Sequence, residues 1–245
     1  MIKHAVFVVV CSISVVAFAD HHEPSGPTLA EIYDCQLNDG VSVGNAVEYA
    51  RTAFKGFADE HDLAMRTFIW EAVAVNQPYD EPDIRWVNYY PSWSAYYAAD
   101  EKWRAKGGDV AMGILDRMVC SKSRITRLHR SGEVAPRADE KPMIALVCNL
   151  KEGKTIQDAI DFRTSANTLS NDLIEGTNGS FILTPMMGIS GFDYVSMVTG
   201  THTEMAAMMD NVRTGKYREA MREAGLENPG SCVVDLHKSH LIIAP

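Results

Sequence analysis

Two stretches of the chain, 113 residues apart, spell one pattern. Cys35 to Val47 reads CQLNDGVSVGNAV and Cys148 to Ile160 reads CNLKEGKTIQDAI, sharing C-x-L-x-[DE]-G-x-[ST]-[VI]-x-[ND]-A-[VI]. At the same offset Phe68-Ile69 matches Phe181-Ile182, and Val119-Cys120 stands opposite Ser231-Cys232 at an offset of 112. One short match arises readily by chance, but several landmarks in register over a whole unit point to a duplicated chain. Whatever one half folds into, the other is expected to repeat.

Each half reads locally in the same way. Ile32 to Leu37 and Ile144 to Leu150 are short apolar strands, broken by Gly40 and Gly153. Ser42 and Thr155 then occupy N-cap positions, with Asn45 and Asp158 three residues on, an imperfect capping box. Apolar residues at helical spacing follow: Val43, Val47, Ala50, Phe54 and Phe57 in one half, Ile156, Ile160 and Leu169 in the other. Second strands are expected over 65–75 and 180–189, third strands over 83–90 and 191–198, second helices over 92–106 and 203–212, and last strands over 118–124 and 232–237. The order is β-α-β-β-α-β twice, an α+β fold of two tandem ferredoxin-like units. In that topology the first and last strands are neighbours. Cys35 then faces Cys120 and Cys148 faces Cys232, as cross-strand pairs within disulfide reach. The units are expected at 31–128 and 144–245, joined by a charged, proline-bearing linker at 129–143.

The ends and the charge fix the setting. Lys3 and His4 precede an apolar run from Ala5 to Val16 and an A-x-A site at Ala17-Phe18-Ala19, the pattern of a signal peptide over 1–19. Secretion or periplasmic export follows, without integral membrane association after cleavage. Cys11 leaves with the signal, and the remaining even number of cysteines suits an oxidising compartment. A metal site from those cysteines lacks any C-x-x-C. Residues 20–30 read as a mobile arm, and His22, third in the mature chain, has the placement of an amino-terminal Cu(II) or Ni(II) ligand. The net charge is −9, and no Lys/Arg cluster is present to displace counterions from a phosphate backbone. Nucleic acid is not an expected partner.

A ferredoxin-like sheet with helices on one face leaves the other face bare, and a second such sheet can cover it. In element order and duplication the chain resembles the dimeric α/β-barrel superfamily, in which two such units join sheet to sheet as a pseudo-twofold barrel. Members include cofactor-independent monooxygenases, muconolactone isomerases, polyketide cyclases and haem-binding chlorite dismutases. The resemblance implies a barrel here and assigns no functional residue.

Two groups of residues are candidates for chemistry. Trp86, Tyr89, Tyr90, Trp93, Tyr96 and Tyr97 crowd one stretch, whereas the matching part of the second half is rich in methionine, with Met197, Met205, Met208 and Met209. The aromatics are either core packing or the lining of an apolar cavity between the units, able to take an apolar or aromatic small molecule. Strand alternation, counted from the cysteines, sends Asp34, Asn149, Asp235 and His237 to the opposite face, where Asp235 and His237 form a carboxylate–imidazole pair and Asn149 lies on the adjacent strand. A solvated sheet edge is the plainer reading of that group. Glu71, Arg85, Asn88 and His240 are weaker candidates. The expected function is small-molecule binding, with a cofactor-free monooxygenase- or isomerase-like enzyme and a protein-interaction module as alternatives. No cofactor is expected; were haem bound, His129, His202 and His237 would be the axial candidates. Asn178-Gly179-Ser180 is formally a glycosylation sequon, although Asn-Gly before a strand reads better as a turn.

Overall fold

The computed structural model describes residues 28–75, 82–132 and 134–244. The proposed signal segment, most of the arm and His22 lie outside them. The chain begins with β1 (Thr28–Leu37) and turns at Gly40. Gly40 and its counterpart Gly153 both take positive φ, 77° and 75°, a region that a side chain disfavours. Ser42 Oγ accepts from the Asn45 amide and starts α1 (Val43–Tyr49), which runs through a π-helical turn (Ala50–Phe54) into α2 (Lys55–Glu60). Next come β2 (Arg66–Ala74), β3 (Ile84–Tyr90), α3 (Trp93–Lys106), α4 (Gly108–Leu115), β4 (Met118–Cys120) and β5 (Arg124–Arg130).

The second half follows with β6 (Glu140–Leu150), α5 (Ile156–Ile174), β7 (Gly179–Met187), β8 (Tyr194–Thr199), α6 (His202–Arg213), α7 (Lys216–Glu223) and β9 (Gly230–Ile243). Here the capping box is complete, because Thr155 and Asp158 each bond the other's backbone amide. The helices α4 and α7 have no counterpart in the sequence expectation. Both last strands run further than expected: β9 continues to Ile243, and the first half's last strand breaks into β4 and β5. Since β5 reaches Arg130 and β6 starts at Glu140, both ends of the expected 129–143 linker are strand, and β1 takes Thr28 to Ala30 from the expected arm.

All pairings are antiparallel and the sheet closes on itself. The order is β3-β2-β9-β6-β8-β7-β5-β1, with β1 returning to β3 and β4 extending the β1 edge. Within each half the strands form a four-stranded sheet. Its two outer strands would expose unpaired backbone groups, and closure removes those edges. β2 pairs with β9 and β5 with β7, so the halves meet edge to edge at two seams as well as across the barrel interior.

Cys35 stands opposite Cys120 and Cys148 opposite Cys232 in the strand registers, and both pairs are bonded, with Cα atoms 4.0 and 4.1 Å apart. The outward faces of the sheet pack beneath the helices. Phe54, Ile69, Trp86 and Met118 form the core under α1 to α4, and Ile144, Val198, Met205 and Met208 one under α6. The inward faces meet each other: Ile32, Val87, Trp70, Met143, Leu183 and Met197 fill the middle of the barrel. Burying each such side chain contributes roughly 1.5–3 kcal/mol. At one end Lys141 Nζ reaches the buried Ala135 carbonyl, 3.3 Å away, so the connecting segment packs there. No helix among the described residues is long and apolar enough to cross a membrane.

Candidate functional site

Strand alternation brings Asp34, Arg85, Arg124, Asp235 and His237 together inside the barrel, at the end where β1 finishes. Register alone accounts for the grouping, since Asp34 opposes Arg85 and Ile32 opposes Arg124 across β1, while Asp235 and His237 alternate along β9. Asp34 Oδ1 accepts from Arg124 Nη2 at 2.6 Å and from Arg85 Nε at 3.2 Å. Arg85 Nη1 lies 3.4 Å from His237 Nε2, and His237 is 2% exposed. Burial and then the Arg85 charge push His237 down to about 4, against the pull of Asp235. The Glu71 main chain also opposes the shift, yet His237 Nδ1 has no hydrogen-bond partner of good geometry. The ring is therefore a neutral imidazole at ordinary pH, wedged beside a cation.

Asn149 is not part of this group. It opposes Ser231, four residues along β9 from Asp235, and is exposed at the end of the sheet. Nor do the six aromatics line one cavity. Alternation turns Tyr89 into the barrel, while Trp86 and Tyr90 face the helices, and Trp93, Tyr96 and Tyr97 stand on α3. The space between the halves, expected to hold a ligand, is occupied at mid-height by side chains from both. Met197 does meet Tyr89 and Trp70 there, whereas Met205 and Met208 pack under their own helix and Met209 is exposed.

Two polar arrangements on the outer face were barely visible in the sequence. At the seam of β2 with β9, His240 Nε2 bonds Glu71 Oε2 at 2.9 Å, and Nδ1 lies 3.5 Å from Glu140 Oε2. Lys238 reaches both carboxylates, at 3.6 and 3.7 Å. His240 and Glu140 form one wall of a surface groove of about 300 Å³, with Glu48, Arg51 and Thr52 of the first helical segment opposite. Arg51 is held in place by bonds to the Leu241 and Asp139 carbonyls, at 3.0 and 2.7 Å. The second arrangement lies under α3. There Glu31, 6% exposed, accepts from Tyr33, Tyr90 and Asn88 at 2.8, 3.2 and 3.3 Å. Burial first, and the Glu31 charge second, raise Tyr33 and Tyr90 well above the usual phenol range.

The three histidines considered for haem do not fit it. An axial ligand needs a ring nitrogen opening onto a slot of porphyrin width. His237 Nε2 faces Arg85, His129 Nε2 lies 3.0 Å from Thr184 Oγ1, and His202 is exposed at the start of α6. Among the described residues no cluster of three His, Cys, Asp or Glu side chains is placed to hold a metal ion.

No protein-family model matches the chain, and no curated protein sequence matches it. Solved structures do. A candidate chlorite dismutase aligns with a TM-score of 0.52 at 12% identity, over 89% of this chain and 95% of its own. A candidate monooxygenase of Lactobacillus acidophilus gives 0.51 at 13% identity, over 89% and 95%. A substituted variant of the chlorite dismutase of Candidatus Nitrospira defluvii gives 0.50 at 7% identity, over 89% and 92%. Identities this low speak for fold alone. The structural neighbours of this chain are thus chlorite-dismutase-like and dimeric α+β-barrel proteins, of ferredoxin-like fold with a tandem repeat.

Proposed function

We propose that the chain is an exported barrel of two βαββαβ units, each stapled by its own disulfide, and that it catalyses proton transfer on a small polar molecule at the seam groove. The signal-like segment over 1–19 and the even cysteine count support export. The element order and matched cysteine registers support the tandem arrangement. Some neighbours of the same fold are described as monooxygenases or chlorite dismutases, which favours an enzyme over a passive binder.

The observation that carries the proposal is the Glu71–His240 bond on the groove wall. A carboxylate on one ring nitrogen fixes the orientation of the imidazole and its tautomer, leaving the other nitrogen to take and return a proton. With Nε2 donating to Glu71, Nδ1 is that nitrogen; Glu140 Oε2, 3.5 Å away, faces the imidazolium that forms, and Glu71 is a positioning residue. Arg51, clamped to two main-chain carbonyls, places a fixed cation across the groove. Such a cation stabilises an oxyanion as it develops. The combination suits abstraction of a proton α to a carbonyl, with charge passing to the oxygen beside Arg51 and the proton returning to a neighbouring carbon. No cofactor enters this isomerisation. At about 300 Å³ the groove takes only a small substrate.

The test is hydrogen exchange in D₂O. The disulfide-intact protein is incubated with a panel of small 1,3-dicarbonyl acids and unsaturated lactones, and deuterium incorporation is followed by NMR. Catalysed exchange is expected with at least one compound, lost in His240→Gln and reduced by about tenfold or more in Glu71→Gln. Exchange that survives His240→Gln, or none with any compound, refutes the assignment.

A further inference from the structure

Among the described residues the buried carboxylate under α3 has no counter-charge. Every donor to Glu31 from the described residues is neutral: the Tyr33 and Tyr90 hydroxyls and the Asn88 amide. Burial, and then the Glu31 charge, raise Tyr96 above the usual phenol range as well. The orientation of Asn88 is fixed by chemistry. Trp86 Nε1 can only donate, and it lies 3.0 Å from Asn88 Oδ1, which also takes the Thr67 hydroxyl at 2.9 Å; the amide nitrogen must therefore face Glu31. No ion pair links Glu31 to a described basic residue. A carboxylate removed from water with only neutral partners is costly, and such groups are normally paired with a cation.

The fold does not require this charge. In β1 and β3 the register sets Glu31 opposite Asn88, and in β6 and β8 the matching register sets Ile144 opposite Val198. That second pair packs as ordinary apolar core. One half thus holds an aliphatic contact where the other holds a carboxylate ringed by phenols.

Above Glu31 the aromatic rings form a connected array leading outward. Tyr90 meets Tyr96 edge to face at 5.3 Å, and Tyr96 meets Trp93 at 5.5 Å and Tyr97 at 5.2 Å. Trp93 and Tyr97 stack at 6.0 Å. Trp93 and Tyr96 are half-buried and Tyr97 is 63% exposed, so the array extends from the carboxylate to solvent. Ring faces attract cations, and a carboxylate among them supplies the opposite charge.

We infer that Glu31, Tyr33, Tyr90, Tyr96 and Trp93 form a binding site for an organic ammonium ion. The donor set distinguishes this ligand from a divalent metal, which needs several anionic or imidazole ligands that are not gathered here. It also accounts for the asymmetry of the aromatic stretch, since the second half has neither the carboxylate nor the rings.

The experiment uses the disulfide-intact protein with choline as probe and 3,3-dimethylbutan-1-ol, its uncharged isostere, as control. Binding is read by calorimetry and by tryptophan fluorescence. Choline is expected to bind about tenfold or more tightly than the isostere, a preference lost in Glu31→Gln. Trp93→Leu and Tyr96→Ala, at the outer wall, are expected to weaken choline by about threefold or more each, and they serve if Glu31→Gln does not fold. Equal affinity for the two probes, undetectable binding of choline at 10 mM (on the order of the weakest specific ligands), or choline binding unchanged in Trp93→Leu and Tyr96→Ala overturns the inference. Because Glu31 and His240 lie on different strands under different helices, His240→Gln is expected to leave choline binding intact.

Discussion

Replacing His237 tests the reading of the barrel end most directly, because the structure sets both the sign and the size of the effect. In the folded chain the imidazole titrates near 4, against 6.5 for a free histidine. Between those values the unfolded chain binds a proton that the folded chain refuses, so stability falls as pH drops from 6.5 to about 4 and levels off below. A shift of this size corresponds to about 3 kcal/mol over the whole window and roughly 2–3 kcal/mol by pH 4.5. Urea unfolding of the wild type and of His237→Gln at pH 7.5 and pH 4.5 isolates the term. Other groups, including His129, whose burial also lowers its affinity for protons, contribute equally to both proteins and cancel in the double difference. The variant is expected to be less stable at pH 7.5 and to lose about 2 kcal/mol less on acidification. Equal losses in the two proteins would mean that His237 is already charged, or that Arg85 moves away, and the account of the site would fail.

The disulfides close loops of 85 and 84 residues, so a chain-entropy model gives both about the same contribution, on the order of 4 kcal/mol. Cys35→Ser with Cys120→Ser and Cys148→Ser with Cys232→Ser are each expected to lower Tm by about 10 °C; a difference of more than about twofold between them would contradict equivalent staples. Asn178 is fully buried, its amide nitrogen faces Met208 Sδ, and its main chain is bonded to Asn167 and Asn171. Expression in a glycosylating host should therefore add no mass at Asn178, and an occupied site in natively folded protein would refute the packing beneath α5 and α6.

What the sequence conveyed well was local and periodic. The cysteine pattern located the first and last strands of each half, and Ser42 and Thr155 marked the helix starts. Alternation placed Asp34, Asp235 and His237 on one face without any coordinates. What it hid depended on closure. Arg124, at a position that does not look functional along its own strand, joins that group only through pairing with β1, and Arg85, a weaker candidate from its own strand, meets Asp34 and His237 only through closure. The tail HLII reads as frayed until β2 is known to pair with it, and only then does His240 meet Glu71. Glu31 stands just ahead of the strand expected from Ile32, and only the longer β1 and the cover of α3 bring it into the core. The short helices α4 and α7 escaped because each supplies about two turns, too few to establish a period.

The two seams of the barrel match in register and differ in one partner side chain. At each seam a histidine of a last strand stands opposite an isoleucine of the other half's second strand, His240 opposite Ile69 and His129 opposite Ile182. Each imidazole bonds the side chain two residues further along that second strand, Glu71 at 2.9 Å and Thr184 at 3.0 Å. Under the proposed duplication these are one contact inherited twice. A threonine hydroxyl holds the ring but offers no charge to stabilise it when it takes a proton; a carboxylate does both. On the proposed function, the difference of a single side chain separates a structural seam from one equipped for acid–base chemistry. Glu71→Thr should then give the β2–β9 seam the character of its partner, keeping the fold and losing the exchange activity, while Thr184→Glu alone should confer none, because the groove walled by Arg51 belongs to the first seam.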